Sequence, residues 1–153
     1  MDFLPLGLKL AGHIVVVVGG GDTALRKARL LHRAGARLRL VAPQWRAELQ
    51  ALVEREGAGG ECHRRAFQDD DLEGARLVVL ATDDGALNER VAALCAARGV
   101  PVNVVDRPDI SSFVFPALID RDPLFITISS SGVSRVLTRR LRARLEAWLP
   151  SRW

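Results

Sequence analysis

The sequence predicts an α/β fold in which helices alternate with the strands of a central parallel sheet. Two observations support this. Apolar runs without polar alternation, at residues 14–18 and 75–81, are typical of strands buried on both faces. These and similar runs alternate four or five times with helical segments, the signature of βαβ units. The 153 residues suffice for one domain with a sizeable core, or for one domain and an appendage.

The first strand and the turn that follows it carry the clearest functional signal. Residues 14–18 are all β-branched and run directly into Gly19, Gly20 and Gly21, after which a helix is predicted from near Asp22. Glycine permits a sharp turn and close approach of a ligand, and the start of a helix favours an anion. The spacing Gly19-x-Gly21-x-x-Ala24 fits the dinucleotide fingerprint. The pattern predicts a Rossmann-type domain that holds a dinucleotide pyrophosphate; the alternative is a plain tight turn.

The later elements follow in chain order. After the first helix, which is predicted to end near residues 34–36, strands are predicted at 38–41, 62–67, 75–81 and 100–105. Helices are predicted around 49–53 and over 87–98, and the acidic residues 69–71 suit the start of another. Ligands of parallel sheets lie beyond the carboxyl ends of the strands. Residues 19–21, 42–44, 82–84 and Asp106 are predicted to meet there.

The alternation ends after Asp106. Residues 113–119 and 124–128 predict a β-hairpin with a polar turn at 120–123, and residues 129–132 lead into an amphipathic helix. That helix carries one apolar stripe: Val133, Leu137, Leu141, Leu145 and Trp148. A hairpin and one helix cannot form a core alone. We therefore predict a Rossmann domain at residues 1–113, followed by a dimerisation arm at 114–153 that packs against a second copy or a missing segment.

Composition excludes several classes of protein. No apolar run reaches the ~18 residues that span a bilayer, and the N-terminus lacks the basic flank of a signal peptide. The two cysteines and the three histidines have no metal-ligand spacing. We expect a cytoplasmic protein without a metal site or membrane contact. Five arginines between residues 135 and 144 indicate an acidic partner, but interleaved stacking aromatics are missing, so nucleic acid is not expected.

An ordered set of motifs resembles the N-terminal module of siroheme synthases and the stand-alone precorrin-2 dehydrogenases. The motifs are residues 4–5, 18–22 with 26–28, 81–84 with Asn88, 103–106, Phe113, Pro116, 119–121, 129–130 and the helix after Gly132. The resemblance spans essentially the whole chain. Ser131 stands where relatives often carry glycine, and the chain ends before the helical remainder of that module. We therefore expect either a shortened form or a truncated piece of a longer protein.

The resemblance implies NAD-dependent oxidation of precorrin-2 to sirohydrochlorin by a homodimer. Insertion of ferrous iron to give siroheme is left open as a second activity. A rival hypothesis is a non-catalytic NAD(H)-binding sensor or tetrapyrrole carrier. The resemblance matches Asp106 to the catalytic aspartate, whose carboxylate suits a general base; the alternative is a simple turn residue before Arg107 and Pro108.

The remaining site residues are predicted in two groups. The cofactor group is Gly19, Gly20, Gly21, Asp22, Thr23, Pro43, Gln44, Thr82 and Asp83. The substrate group is Asn103, Ser129 and Ser130. Thr82–Asp84 and Ser129–Ser131 have the alternative role of helix caps. The acid expected ~20 residues after the glycines, which would bind the ribose, is absent. Gln44 or backbone groups would replace it, and Arg46 leaves NADP open.

Overall fold

The computed structural model describes residues 1–151, which form two compact units. Residues 6–113 form the sheet unit, and residues 1–5 with 114–151 form the hairpin unit. In chain order the sheet unit contains β1 (Ile14–Val18), α1 (Asp22–Arg33), β2 (Arg37–Val41), α2 (Ala47–Val53), β3 (Glu61–His63), a 3₁₀ helix (Asp69–Leu72), β4 (Ala75–Leu80), α3 (Gly85–Arg98) and β5 (Val102–Val104).

The five strands form one parallel sheet in the order β3-β2-β1-β4-β5. This order places β1 at the centre, as its uninterrupted β-branched run predicts. It confirms the Rossmann-type parallel sheet. The order reverses beside β1, so the loops after β1 and β4 lie next to each other at the carboxyl edge, where α/β sheets bind ligands.

Apolar side chains bury both faces of the sheet. Val16 and Val18 of β1 belong to a buried cluster that also contains Val91 and Cys95 of α3. Val15 and Val17 point to the opposite face and are equally buried. Helix α1 contributes Ala24, Leu25, Ala28 and Leu31, whose spacing places them on one side of a helix.

Two strands are shorter than the sequence predicts. The strand expected at 62–67 ends at His63, because the Arg65 amide turns back and donates to the His63 carbonyl at 3.0 Å. Phe67 leaves the sheet and enters the core cluster instead. The strand expected at 100–105 is confined to Val102–Val104, since Pro101 before it has no amide to donate.

Hydrogen bonds around the buried Asp71 order the segment after β3, and Arg39 connects this segment to β2. Asp71, whose relative exposure is 4%, accepts two hydrogen bonds from the Arg65 guanidinium at 2.7 and 2.8 Å and one from the Gln68 amide at 2.8 Å. Arg39 of β2 donates to the carbonyls of Asp71 and Glu73 at 2.8 and 2.7 Å. Burial would raise the pKa of Asp71, but the bonds from Arg65 and Gln68 outweigh it, and the pKa lies below its usual value.

The hairpin unit contains β6 (Ala117–Arg121), β7 (Leu124–Ile128) and α4 (Arg135–Trp148). The predicted hairpin is confirmed, with a shorter turn. Asp120 pairs with Phe125 and Arg121 with Leu124, so only Asp122 and Pro123, joined by a cis peptide bond, connect the antiparallel strands.

The cap of α4 differs from the one expected at residues 129–131. Ser131 and Gly132 both have positive φ, 53° and 84°, so the chain is still turning there and the helix starts later. Ser134 is the cap, and its side chain accepts from the Leu137 amide at 3.2 Å. Ser130 supports it, because its Oγ accepts from the Ser134 amide at 2.9 Å.

The apolar stripe of α4 is largely exposed in the single chain. None of the described residues of α4 is buried, although Leu145 is half-buried. Exposure reaches 84% at Val133 and 81% at Trp148, and Leu137 and Leu141 are also exposed. Exposed apolar surface of this kind is found at protein interfaces, membrane contacts and ligand grooves.

The Asp71 interaction yields a prediction about stability. Asp71→Asn should lower the free energy of unfolding by about 1–3 kcal/mol at neutral pH, because it removes the charge of a buried carboxylate that accepts two hydrogen bonds from the half-buried Arg65. A carboxyl whose pKa is depressed in the folded state stabilises above its unfolded pKa of about 3.9, and that contribution disappears as the pH falls through the folded pKa. The difference from the unmodified protein should therefore narrow below pH ~4.

Urea denaturation between pH 3 and pH 7 measures this difference. Asp70→Asn is the matched control, since Asp70 is exposed and should change stability by less than about 0.5 kcal/mol. Equal effects of the two substitutions at pH 7 would show that the bonds of Asp71 do not stabilise the fold.

Candidate functional site

The first two glycines of the turn after β1 are packed against neighbouring backbone. Gly19 has φ 127°, and its amide donates to the Val41 carbonyl at 3.0 Å. A Cβ on Gly19 would lie 2.8 Å from the Ala81 carbonyl carbon, and one on Gly20 would lie 2.6 Å from the Trp45 Cα. Only glycine allows the turn to approach the ends of β2 and β4 this closely.

Gly21 plays a different part. It is exposed, and a Cβ built on it would meet nothing within 4 Å. It is the N-cap of the 12-residue helix α1, in extended backbone, and no side chain caps the helix there. The start of α1 therefore presents amide groups beside an open surface. These features fit the pyrophosphate of a dinucleotide, which would bind across Gly21, Asp22 and Thr23.

The loop after β2 lies against the same turn. Pro43 and Gln44 are exposed, and the Arg46 amide donates to the Gly20 carbonyl at 2.9 Å. The Arg46 side chain forms ion pairs with Asp22 and with Glu48. A backbone hydrogen bond and the contact with Arg46 hold the pKa of Glu48 below its usual value. The Arg46 guanidinium thus has two carboxylate partners.

The loop after β4 is held by a buried asparagine. The Thr82 hydroxyl donates to Oδ1 of Asn88 at 2.7 Å, and Nδ2 of Asn88 donates to the Thr82 carbonyl at 3.0 Å. Asp84 caps α3 by accepting from the Leu87 amide at 3.0 Å, which confirms the helix-cap alternative for this segment. Asp83 is exposed. The sequence analysis assigned no role to Asn88. The pattern that could have revealed its role is its helical spacing from Val91, Ala92 and Cys95, which places a polar residue on the buried face of α3.

Asp106 follows β5 at the same edge. It is exposed, in the left-handed region at φ 66°, and the amide of the preceding Val105 donates to the Leu80 carbonyl at 3.0 Å. Asn103, one of the predicted substrate residues, is buried within β5, and its Nδ2 donates to the Phe113 carbonyl at 3.0 Å.

The parallel register brings the predicted segments of the sheet unit together. Val18 pairs with Val41 and with Leu80, and Leu80 pairs with Val104, so the four strands end at one level. The loops that follow them carry the glycine turn, residues 43–44, residues 82–83 and Asp106. Ser129 and Ser130 lie in the hairpin unit, directly after β7, where Ser129 accepts from the Ser131 amide at 3.2 Å.

The described residues contain neither a cluster of metal-ligating side chains nor a membrane-spanning helix. Within residues 1–151, no group of three or more His, Cys, Asp or Glu side chains could hold a metal ion. None of the helices in this part of the chain has the length and apolar character needed to cross a membrane.

Comparison with known proteins gives one family and close relatives. The family model described as putative NAD(P)-binding matches residues 6–117. Siroheme synthases of Pseudomonas paraeruginosa (strain DSM 24068 / PA7) and Pseudomonas entomophila (strain L48) are 55% and 56% identical over 151 residues, which is 99% of this chain. These residues make up 32% of each relative, so the chain spans about a third of the length of the siroheme synthases it matches.

A solved structure of a related protein has the same fold as this chain. SirC, precorrin-2 dehydrogenase, superposes with a TM-score of 0.82 at 29% identity, covering 97% of this chain and 72% of the SirC chain. The two comparisons confirm the resemblance inferred from the ordered motifs.

The contrast between Gly20 and Gly21 gives a prediction. Gly21→Ala should lower the melting temperature by only a few degrees, because its Cβ enters open space, and should weaken NAD binding about tenfold, ~1.4 kcal/mol, by intruding where the pyrophosphate would lie. Gly20→Ala should instead destabilise the fold, because its Cβ overlaps the Gln44 carbonyl. Calorimetric titration with NAD and thermal unfolding separate the two effects; unchanged NAD affinity in a folded Gly21→Ala variant would place the cofactor elsewhere.

Proposed function

Because this chain belongs to the putative NAD(P)-binding family, we propose that it oxidises precorrin-2 to sirohydrochlorin with NAD as electron acceptor. The similarity to siroheme synthases and to SirC, precorrin-2 dehydrogenase, supports the choice of reaction. The observation that carries the proposal is that the open turn at Gly21 and the turn at Asp106 follow strands that end at one level of the sheet. That edge offers an anion site and an exposed carboxylate.

The proposed reaction removes two hydrogens from the tetrapyrrole. When bound, NAD would supply the acceptor for a hydride, which carries two electrons and one proton, and the second proton must pass to a base of the protein. Asp106 is the base we propose, because it is an exposed carboxylate at the end of β5. In a second reaction, ferrous iron would replace two pyrrole protons of sirohydrochlorin, and the same carboxylate would pass them to solvent one at a time.

Binding roles are proposed for the remaining residues. Gly19 and Gly20 shape the turn, while Gly21, Asp22 and Thr23 would hold the pyrophosphate. Pro43 and Gln44 would lie at the adenosine, and Thr82 and Asp83 would line the cofactor. We propose Asn103, Ser129 and Ser130 as substrate-binding residues, a role implied by the resemblance.

Substitution of Asp106 tests the catalytic proposal. Asp106→Asn and Asp106→Ala should each lower NADH formation from precorrin-2 by more than about 100-fold, which is the usual contribution of a general base. Affinity for NAD should remain within about twofold, since the pyrophosphate site is separate. Absorbance at the NADH band measures the first step, and a later addition of ferrous iron reports siroheme formation.

The outcomes distinguish the enzyme from its rival. NAD binding without NADH formation by the unmodified protein would favour a sensor or tetrapyrrole carrier. Normal NADH formation by Asp106→Ala would remove Asp106 from the mechanism while leaving the activity in place.

We also propose that the chain acts as a homodimer in the cytoplasm. The exposed apolar stripe of α4 is the surface we assign to the dimer, since apolar residues this exposed favour association. Both thiols, Cys62 and Cys95, are free, as is usual for proteins of a reducing compartment.

The dimer proposal predicts the effect of one added charge. Leu141→Glu should weaken self-association at least about tenfold, because it places a carboxylate in the middle of the stripe. Ala143→Glu adds the same charge to another side of α4 and should have little effect. Sedimentation velocity measures the mass against the 16.7 kDa of one chain; a monomeric unmodified protein, or equal effects of both substitutions, would contradict the proposal.

A further inference from the structure

Two consecutive serines close the outer edge of the sheet beside Asp106. Strand β5 has β4 as its only strand neighbour in the described sheet, so its outward amides need other partners. Ser112 Oγ accepts from the Val102 amide at 2.8 Å, and Ser111 Oγ accepts from the Val104 amide, also at 2.8 Å. The two hydroxyls thus accept the hydrogen bonds that the carbonyls of a sixth strand would otherwise accept.

Ser111 makes one contact that Ser112 does not. Its hydroxyl reaches the Arg107 carbonyl at 2.8 Å and the Val104 carbonyl at 3.2 Å, and the shorter distance identifies Arg107 as the preferred acceptor. Ser112 bonds only to Val102. The two strongest contacts of Ser111 therefore lie on either side of Asp106, two residues before it and one residue after it.

The backbone that Ser111 clamps has an unusual conformation. Asp106 has φ 66°, a region that non-glycine residues rarely adopt without support from their surroundings. The Arg107 amide donates to the Val104 carbonyl at 3.0 Å and closes the turn. The Arg107 side chain stabilises the turn further, because its guanidinium donates hydrogen bonds to the Asp109 carboxylate at 2.8 and 2.9 Å and to the Glu89 carboxylate at 3.4 Å.

We propose that Ser111 is a positioning residue, whose hydroxyl holds the turn at residues 104–107 so that the Asp106 carboxylate keeps its place at the carboxyl edge of the sheet. The proposal rests on the proposed function of Asp106. A displacement of about 1 Å at a reacting group can lower a rate by about 100-fold. Loss of the Ser111 hydroxyl is therefore expected to lower the rate of the reaction.

The test compares Ser111→Ala, Ser111→Thr and Ser112→Ala in the full chain. Ser111→Ala should lower kcat for NADH formation by about 10- to 100-fold and leave KM for NAD within about twofold. Ser111→Thr keeps the hydroxyl and should restore kcat to within about threefold. Ser112→Ala removes an equivalent edge bond and should retain at least about half of the kcat, with a similar melting temperature to Ser111→Ala.

A measurement independent of turnover completes the test. In carbon-detected NMR, the side-chain carboxyl resonance of Asp106 should shift in Ser111→Ala and stay in place in Ser112→Ala, whether or not the protein oxidises precorrin-2. An unshifted Asp106 resonance in Ser111→Ala, an equal loss of kcat in both alanine variants, or no recovery in a folded Ser111→Thr would each overturn the proposal. An inactive unmodified protein with a shifted Asp106 resonance would instead refute the proposed activity and leave the positioning intact.

Discussion

The close contact between the glycine turn and the ends of two neighbouring strands is the constraint on which the rest of the sheet unit depends. Gly19 hydrogen-bonds to the end of β2, and both Gly19 and Gly20 leave no room for a side chain. This contact fixes where α1 begins, and so where its free amides point. The proposed anion site is therefore a consequence of backbone packing, and of the three glycines only Gly21 has open space where a side chain would lie.

Side chains, rather than a further strand, complete the β5 edge of the sheet. On the other side of the sheet, Arg39 of β2 and the buried Asp71 bind the backbone of the segment between β3 and β4. At the β5 edge, the hydroxyls of Ser111 and Ser112 bind the outward amides. An uncovered edge would invite pairing with another chain. The segment that covers β5 also binds the turn around Asp106, so the same hydrogen bonds protect this edge and order a loop of the candidate site.

The elements that could be predicted from the sequence are those set by local pattern. The β-branched run at residues 14–18, the helical spacing of α1 and the convergence of four loops all follow from periodicity and from the rules of parallel sheets. The roles of Asn88 and Ser111 could not be predicted, because each depends on a partner that only the tertiary fold brings near. Ser134 replaced residues 129–131 as the cap for a similar reason: the left-handed backbone at Ser131 and Gly132 delays the helix.

The charge balance at the glycine turn supports the proposed use of NAD over NADP. Arg46 follows the loop where an adenosine ribose would lie, and a 2′-phosphate needs such a cation. In this structure Arg46 is already paired with Asp22 and Glu48. A phosphate would have to displace one carboxylate and would remain close to the other, whereas the 2′-hydroxyl of NAD carries no charge to neutralise. The acid that usually binds the ribose after β2 is absent from this chain. Asp22 and Glu48 instead pair with Arg46 beside the position of the ribose.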